Sequence, residues 1–188
     1  MDILTLVNNG MANPFFDTIV PIIYVLTDEY KLPIYLIILL IIAWVLKKDK
    51  LKNIIILCFF ALLFAYLIVF LLKHFYISPR PYTVLSNIRL VGTNNSINSF
   101  PSGHIAISMT VISVILMKVK QYKKILIVLS IIYLVVISFT LLYAGVHYPI
   151  DLIAGGIVGL ISATIAIFLS DKYLNKHLLK WKKKIRIN

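Results

Sequence analysis

The chain has 188 residues, 61% of them hydrophobic, and a mean hydropathy of +0.96. Soluble domains run near half apolar, so this excess excludes an ordinary water-soluble globule and points to lipid. The formal net charge of +12 would suggest nucleic acid in a soluble domain; here the basic residues stand in short clusters between apolar runs, a pattern that sets membrane topology instead.

Apolar runs of about 18 or more residues read as membrane spans, and the chain divides into six candidates with little left over for a soluble domain. Met1 to Asn13 carry no Lys or Arg, so no basic n-region and no secretory signal peptide is expected. The first span, about Pro14 to Leu26, is short and interrupted by Pro21, which leaves a tilted span and an interfacial segment both open. The second runs from about Leu32 to Leu46 and the third from Asn53 to Leu72. A polar stretch from Lys73 to Pro101 follows, in which Thr93 to Ser99 reads as an ordinary polar loop. The fourth span starts near Ser102 and ends near Met117, the fifth covers about Ile125 to Tyr143, and the sixth about Ile150 to Leu169. On the sixth, Gly155 and Gly159 form a small-xxx-small pair that suits close helix packing. A basic tail, Lys172 to Asn188, closes the chain, with Leu174, Leu178, Leu179 and Trp181 giving it an interfacial character. These runs are hydrophobic all round, unlike half-buried surface helices, and no alternating segments suggest a membrane barrel. Cys58 is the single cysteine and lies in an apolar run, so neither an internal disulfide nor a cysteine-based metal site is available.

The basic residues test this division. Fifteen of the nineteen fall on one side of the membrane: Lys47 to Lys52, Lys118 to Lys124, and the tail. Only Lys31, Lys73, Arg80 and Arg89 fall on the other. The positive-inside rule makes the crowded side cytoplasmic. Both termini are then inside, and the Lys73–Pro101 loop and the Val146–Ile150 turn face outward. The expected fold is all-α, a six-helix transmembrane bundle. Residues 1–171 form the membrane domain and residues 172–188 a basic cytoplasmic tail.

The outward side carries the residues capable of chemistry. Pro101-Ser102-Gly103-His104 opens the fourth span. Ser102 suits an N-cap, and a helix N-terminus with free N–H groups is a seat for phosphate. Gly103 allows close approach to the backbone, and His104 sits in the first turn. A plainly capped helix with an interfacial histidine would look the same. Lys73 ends the third span, with Arg80-Pro81 after it, and Pro79 and Pro81 argue that the helix stops near Ser78. Two cations could converge here on phosphate, although snorkelling to headgroups is the commoner fate of such a pair. His147 and Asp151 stand four apart at the start of the sixth span. A carboxylate accepting from one ring nitrogen would fix the tautomer and leave the other nitrogen as a nucleophile; a helix-dipole carboxylate beside a chance histidine is the plainer alternative. Together they make a stronger pattern: two histidines, a carboxylate, two cations and a helix N-terminus on one side, as phosphoryl transfer requires. No cluster of carboxylates or Cys/His ligands suggests a metal.

At this point the chain resembles the type 2 phosphatidic acid phosphatase superfamily. Its first signature, a Lys, six residues and Arg-Pro, reads Lys73 to Arg80-Pro81. Its second, Pro-Ser-Gly-His, is Pro101 to His104 in full. Its third, Ser-Arg, five residues, His, three residues, Asp, reads Thr140-Leu141, then His147 and Asp151. The resemblance implies that His147 attacks phosphorus to form a phospho-histidine, Asp151 orients it, and His104 protonates the leaving oxygen and then activates water. It implies that Lys73, Arg80, Ser102 and Gly103 hold the phosphate, with no metal or other cofactor. The site would lie at the outer ends of the last four spans. The substrate would be a membrane lipid phosphate or polyprenyl (di)phosphate at the outer face of the plasma membrane, with the bilayer as partner and no nucleic acid. One departure stands out: the third-motif Arg is Leu141. Losing a charge-assisted phosphate clamp could cost a few kcal/mol of transition-state binding. Arg89, Tyr143 and Tyr148 are the candidates to compensate. A catalytically weak or inactive lipid-phosphate binder is the alternative.

Overall fold

The computed structural model describes residues 2–94 and 96–185. Among them every regular element is helical, and the one β contact is an isolated bridge between Pro79 and Asn98. A short helix α1 (Ile3–Thr5) runs into one π-helical turn, Leu6–Gly10. Then come α2 (Pro14–Leu26), α3 (Lys31–Val45), α4 (Asp49–Phe75), the single turn α5 (Pro81–Val84), α6 (Gly103–Lys118), α7 (Lys123–Tyr143) and α8 (Pro149–Ile185).

The boundaries follow local chemistry. Asn13 caps α2 by accepting the Phe16 N–H at 3.0 Å, and Pro14 takes the first turn, where no amide donor is needed. Pro21 is accommodated inside the helix, so α2 runs on to Leu26. α4 ends at Phe75, before the expected stop near Ser78, as the chain turns extended at Tyr76. Lys73 is therefore helical while Arg80 is not, and the two do not share a helix face. α8 runs on past Leu169 to Ile185, because no Pro or Gly interrupts the segment. The side chains expected to make the tail interfacial, Leu174, Leu178, Leu179 and Trp181, lie outside the described residues.

Three helices are long and apolar enough to cross a membrane: α4 with 27 residues, α7 with 21, and the first 25 residues of α8. The apolar helices α2, α3 and α6 have 13, 15 and 16 residues. They rise only about 20 to 24 Å against roughly 30 Å of hydrocarbon. The outer surface is apolar: Leu63, Phe70, Val135, Ile153 and Phe168 are each more than 60% exposed. A belt of that kind on apolar helices suits a lipid surrounding.

α6 is the centre of the bundle, packed between α4 and α8, with α7 on its other flank, α3 against α4 and α2 against α7. Its Ile107, Val111 and Val114 meet Cys58, Ala61 and Ala65 of α4 and Ala163 and Ala166 of α8. Small residues let the backbones touch. A Cβ on Gly155 would stand 2.6 Å from the Ser102 carbonyl oxygen, and one on Gly159 2.6 Å from that of Ala106. At the far end Lys118 reaches the Asp171 carboxylate at 2.8 Å, tying α6 to α8 again.

Gly156 faces open space, which supplies an internal control. Gly159→Ala is expected to lower stability by about 1–3 kcal/mol through forced separation of α6 and α8. Gly156→Ala should leave it unchanged or slightly raised. Thermal melts of the two variants in one detergent check the contrast.

Candidate active site

A cavity of about 690 Å3 opens at the end of the bundle where α4 stops and α6 starts. Lys73, Arg80, Gly103, His104 and His147 all line it. Ser102 and Asp151 lie buried beside it. The cavity also draws on α2 and the α2–α3 turn, through Tyr24, Val25, Asp28, Glu29 and Tyr30. The expected restriction to the last four apolar helices is thus too narrow, because α2 folds back over the start of α6.

Each side chain is held by its element's end. Lys73 sits in the last turn of α4, whose terminal carbonyls have no partner within the helix. Asn98 supplies one: its Nδ2 donates to the Lys73 carbonyl at 2.8 Å and to that of Tyr76 at 2.7 Å, while its Oδ1 accepts from Ser78 N at 3.0 Å. Arg80, 3% exposed, spans two loops. Its Nε donates to Ser96 O and its Nη1 to Val146 O, both at 2.7 Å. Burial draws the Arg80 pKa down, yet a guanidinium remains charged. Ser102 N donates to the Asp151 carbonyl at 3.0 Å, joining the starts of α6 and α8.

Arg80 also decides the tautomer of His147. Its Nη1 stands 3.3 Å from His147 Nε2 and can only donate, so Nε2 carries the lone pair and Nδ1 the proton. Nδ1 faces Asp151 Oδ2 at 3.4 Å. That is longer than a formed hydrogen bond, and Nδ1 has no hydrogen-bond partner among the described residues. Oδ2 already accepts the Tyr148 N–H at 2.8 Å, while Oδ1 has none. The expected pairing is therefore an approach rather than a closed bond, and such contacts tighten when substrate binds.

Ser102 stands at the N-cap position but its hydroxyl caps nothing. Ser102 Oγ and His104 Nε2 are both buried without a partner among the described residues. Two unpaired polar atoms at a helix N-terminus can take up a ligand's hydrogen bonds, and leaving them bare costs free energy. Tyr24 stacks on the His104 ring, with centroids 4.9 Å apart.

None of the three candidates takes the place of the missing arginine. Leu141 is fully buried in an apolar cluster with Val20, Ile105 and Ile137. Arg89 is committed elsewhere: its Nη1 lies 3.3 Å from Asp17, its Nη2 donates to Asn8 O at 2.8 Å, and it covers the Tyr143 ring. The Tyr143 hydroxyl donates to Asp17 at 2.7 Å. Tyr148 does not line the cavity.

Sequence reading missed Tyr24, Glu29 and Asn98. Tyr24 and Glu29 come from an element with no motif. Asn98 lies in a segment that composition alone marks as plain loop. The usable signal was that Asp28-Glu29 is an acidic pair on the sparsely charged outer side.

Burial holds the pKa of His147 down from 6.5 to about 3; Asp151 opposes the shift and the Arg80 charge adds to it. The unfolded chain therefore takes up a proton that the folded one refuses between about pH 6.5 and 3. Stability must fall as pH falls through that window. Wild type is expected to lose more thermal stability on acidification from pH 7 to 4 than His147→Gln, as parallel melts would show.

The chain matches the family model of the PAP2 superfamily over residues 54–174. It is 24% identical over 152 residues to the "Bacitracin transport permease protein BcrC" of Bacillus licheniformis, covering 81% of this chain and 72% of that one. It is 34% identical over 80 residues to an "Undecaprenyl-diphosphatase" of Sulfolobus acidocaldarius, covering 43% of this chain and 37% of that protein. Among solved structures it superposes on LpxE of Aquifex aeolicus with a TM-score of 0.68 and 28% identity, covering 87% of this chain and 92% of that one. The match runs from within α4 to within α8, over more than half of the chain, so this membrane protein belongs to the PAP2 superfamily.

Proposed function

We propose that the chain is a metal-independent phosphatase acting on a lipid phosphate or polyprenyl (di)phosphate through a phospho-histidine. The observation that carries this reading is the mixed lining of the cavity. Lys73, Arg80, His104 and His147 share it with Val25, Tyr30, Tyr66, Val69 and Phe70. A phosphate on an apolar tail suits both kinds of lining. The name of the Sulfolobus relative favours a polyprenyl diphosphate.

In the first step the phosphoryl oxygens draw the Arg80 Nη1 donor away from His147, freeing the Nε2 lone pair. Nε2 bonds to phosphorus, the bond to the leaving oxygen breaks, and His104 gives that oxygen its proton. Asp151 receives the Nδ1 proton's hydrogen bond as the imidazole gains positive charge. In the second step water attacks phosphorus, gives a proton to His104, and the Nε2–P bond breaks. Lys73, Arg80, Ser102 Oγ and the backbone at Gly103 carry the phosphoryl charge. Among the described residues no group of three His, Cys, Asp or Glu side chains could hold a metal. His147→Ala is expected to lower phosphate release about a thousandfold or more, and His104→Ala about a hundredfold or more. The panel would be phosphatidic acid, phosphatidylglycerol phosphate, and polyprenyl mono- and diphosphates, with chelator leaving the wild-type rate unchanged. Wild type that binds these lipids but releases no phosphate would favour the inactive binder that Leu141 suggests.

Six spans with both termini cytoplasmic and the cavity facing outward are part of the same proposal, supported by the fifteen-to-four division of basic residues. α2, α3 and α6 would cross within a locally thinned bilayer. Cys58 is buried, so single added cysteines report cleanly. In intact cells an impermeant maleimide is expected to label Ile97→Cys, and to label Lys172→Cys only after permeabilisation.

A further inference from the structure

The start of α6 already faces an anion from the chain itself. A Cβ built on Gly103 would fall onto the Glu29 carboxylate. Only glycine admits this contact, and the contact lies where the Pro-Ser-Gly-His motif would seat a phosphoryl group. Lys73, Arg80 and His104 line the same cavity.

The placement of Glu29 is built rather than incidental. The Tyr66 hydroxyl of α4 donates to the Glu29 carbonyl at 2.6 Å. Asp28 Oδ1 accepts the Tyr30 N–H at 2.9 Å, and Lys31 N donates to Asp28 O at 3.0 Å, closing the turn between α2 and α3. The Tyr30 and Tyr66 rings stack over this turn. The backbone at Glu29 is thus fixed to α4, and its side chain is directed across the cavity to α6. Beside the carboxylate, Ser102 Oγ and His104 Nε2 are buried and without a partner among the described residues, so Glu29 leaves hydrogen-bonding capacity at this helix start that a phosphoryl group would use.

We propose that Glu29 is the resident anion of the phosphate seat and determines how tightly this site holds phosphoryl anions. This rests on reading the cavity as a phosphoryl site. A carboxylate in the seat balances part of the Lys73 and Arg80 charge while the site is empty, and every incoming phosphoryl group must displace it. The apparent affinity for phosphate is then the intrinsic affinity scaled by the fraction of time the seat is vacant. Product phosphate meets the same competitor, so Glu29 returns to the seat as phosphate leaves and limits product inhibition. The substrate's apolar tail adds contacts that free phosphate lacks, which lets substrate win the exchange where product does not.

The test measures binding of inorganic phosphate to the full-length protein in detergent by calorimetry, alongside its inhibition constant in phosphate release. Glu29→Gln keeps the shape and removes the charge. If Glu29 fills the seat about nine-tenths of the time, this variant is expected to bind inorganic phosphate about tenfold more tightly. Its KM for lipid substrate should fall in step. Asp17→Asn, which removes a carboxylate that does not line the cavity, is expected to alter phosphate affinity by less than about twofold. Unchanged phosphate affinity in Glu29→Gln overturns the proposal. So does an equal gain in Asp17→Asn, which would mean a general field effect rather than occupancy. Because binding is read without turnover, the two readings separate. Tighter phosphate binding in a protein that hydrolyses nothing would sink the phosphatase and leave the seat. Full activity with unchanged phosphate affinity would do the reverse.

Discussion

The site depends on how closely the backbones of α6 and α8 approach. Gly155 and Gly159 leave no side chain between the helices, and the Ser102 and Ala106 carbonyl oxygens lie 2.6 Å from where their Cβ atoms would be. Between apolar helices in lipid there is no hydrophobic drive to association, so close van der Waals packing must supply it. The consequence reaches the chemistry. With the helices in contact, Ser102 N can donate to the Asp151 carbonyl. The Pro-Ser-Gly-His turn and the His147–Asp151 turn are thereby fixed to each other, although more than forty residues separate them.

Arg80 performs the second joining. It is buried, and it spends its Nε and Nη1 donors on the Ser96 and Val146 carbonyls and on the His147 ring. A buried cation without such partners would be costly. With them it holds the polar loop and the His147 turn together, and its Nη2 has no hydrogen-bond partner among the described residues. The same guanidinium selects the His147 tautomer, so one residue serves architecture and chemistry at once.

The charge balance of the cavity departs from what the motifs alone suggest. Leu141 removes a cation and is packed among apolar side chains. Glu29 adds a carboxylate at the start of α6. Arg89, the nearest substitute in sequence terms, is bound into a separate cluster with Asp17, Tyr143 and the Asn8 backbone. That cluster anchors the N-terminal turn: Asn8 is fully buried and donates to Tyr143 O at 2.7 Å. A weaker excess of positive charge suits a site that must release phosphate as well as bind it.

The sequence by itself determined the helices and the motif residues. Apolar runs marked α2 and α7 almost to the residue, because a chain entering lipid must satisfy its backbone internally and helices do so locally. The Lys73, Pro101–His104 and His147–Asp151 signatures named the residues that line or back the cavity, because their spacings are local too. Tertiary structure alone decided what is not local. Asn98 closes α4 from twenty-five residues beyond Lys73, and Tyr24 and Glu29 reach α6 from an earlier helix and the turn after it. No periodicity records such contacts, since they arise only when α2 folds back across the start of α6. The fate of Leu141 was decided in the same way. Its identity was legible in the motif, but that nothing takes the arginine's place follows from where Arg89 and Tyr143 are already bound.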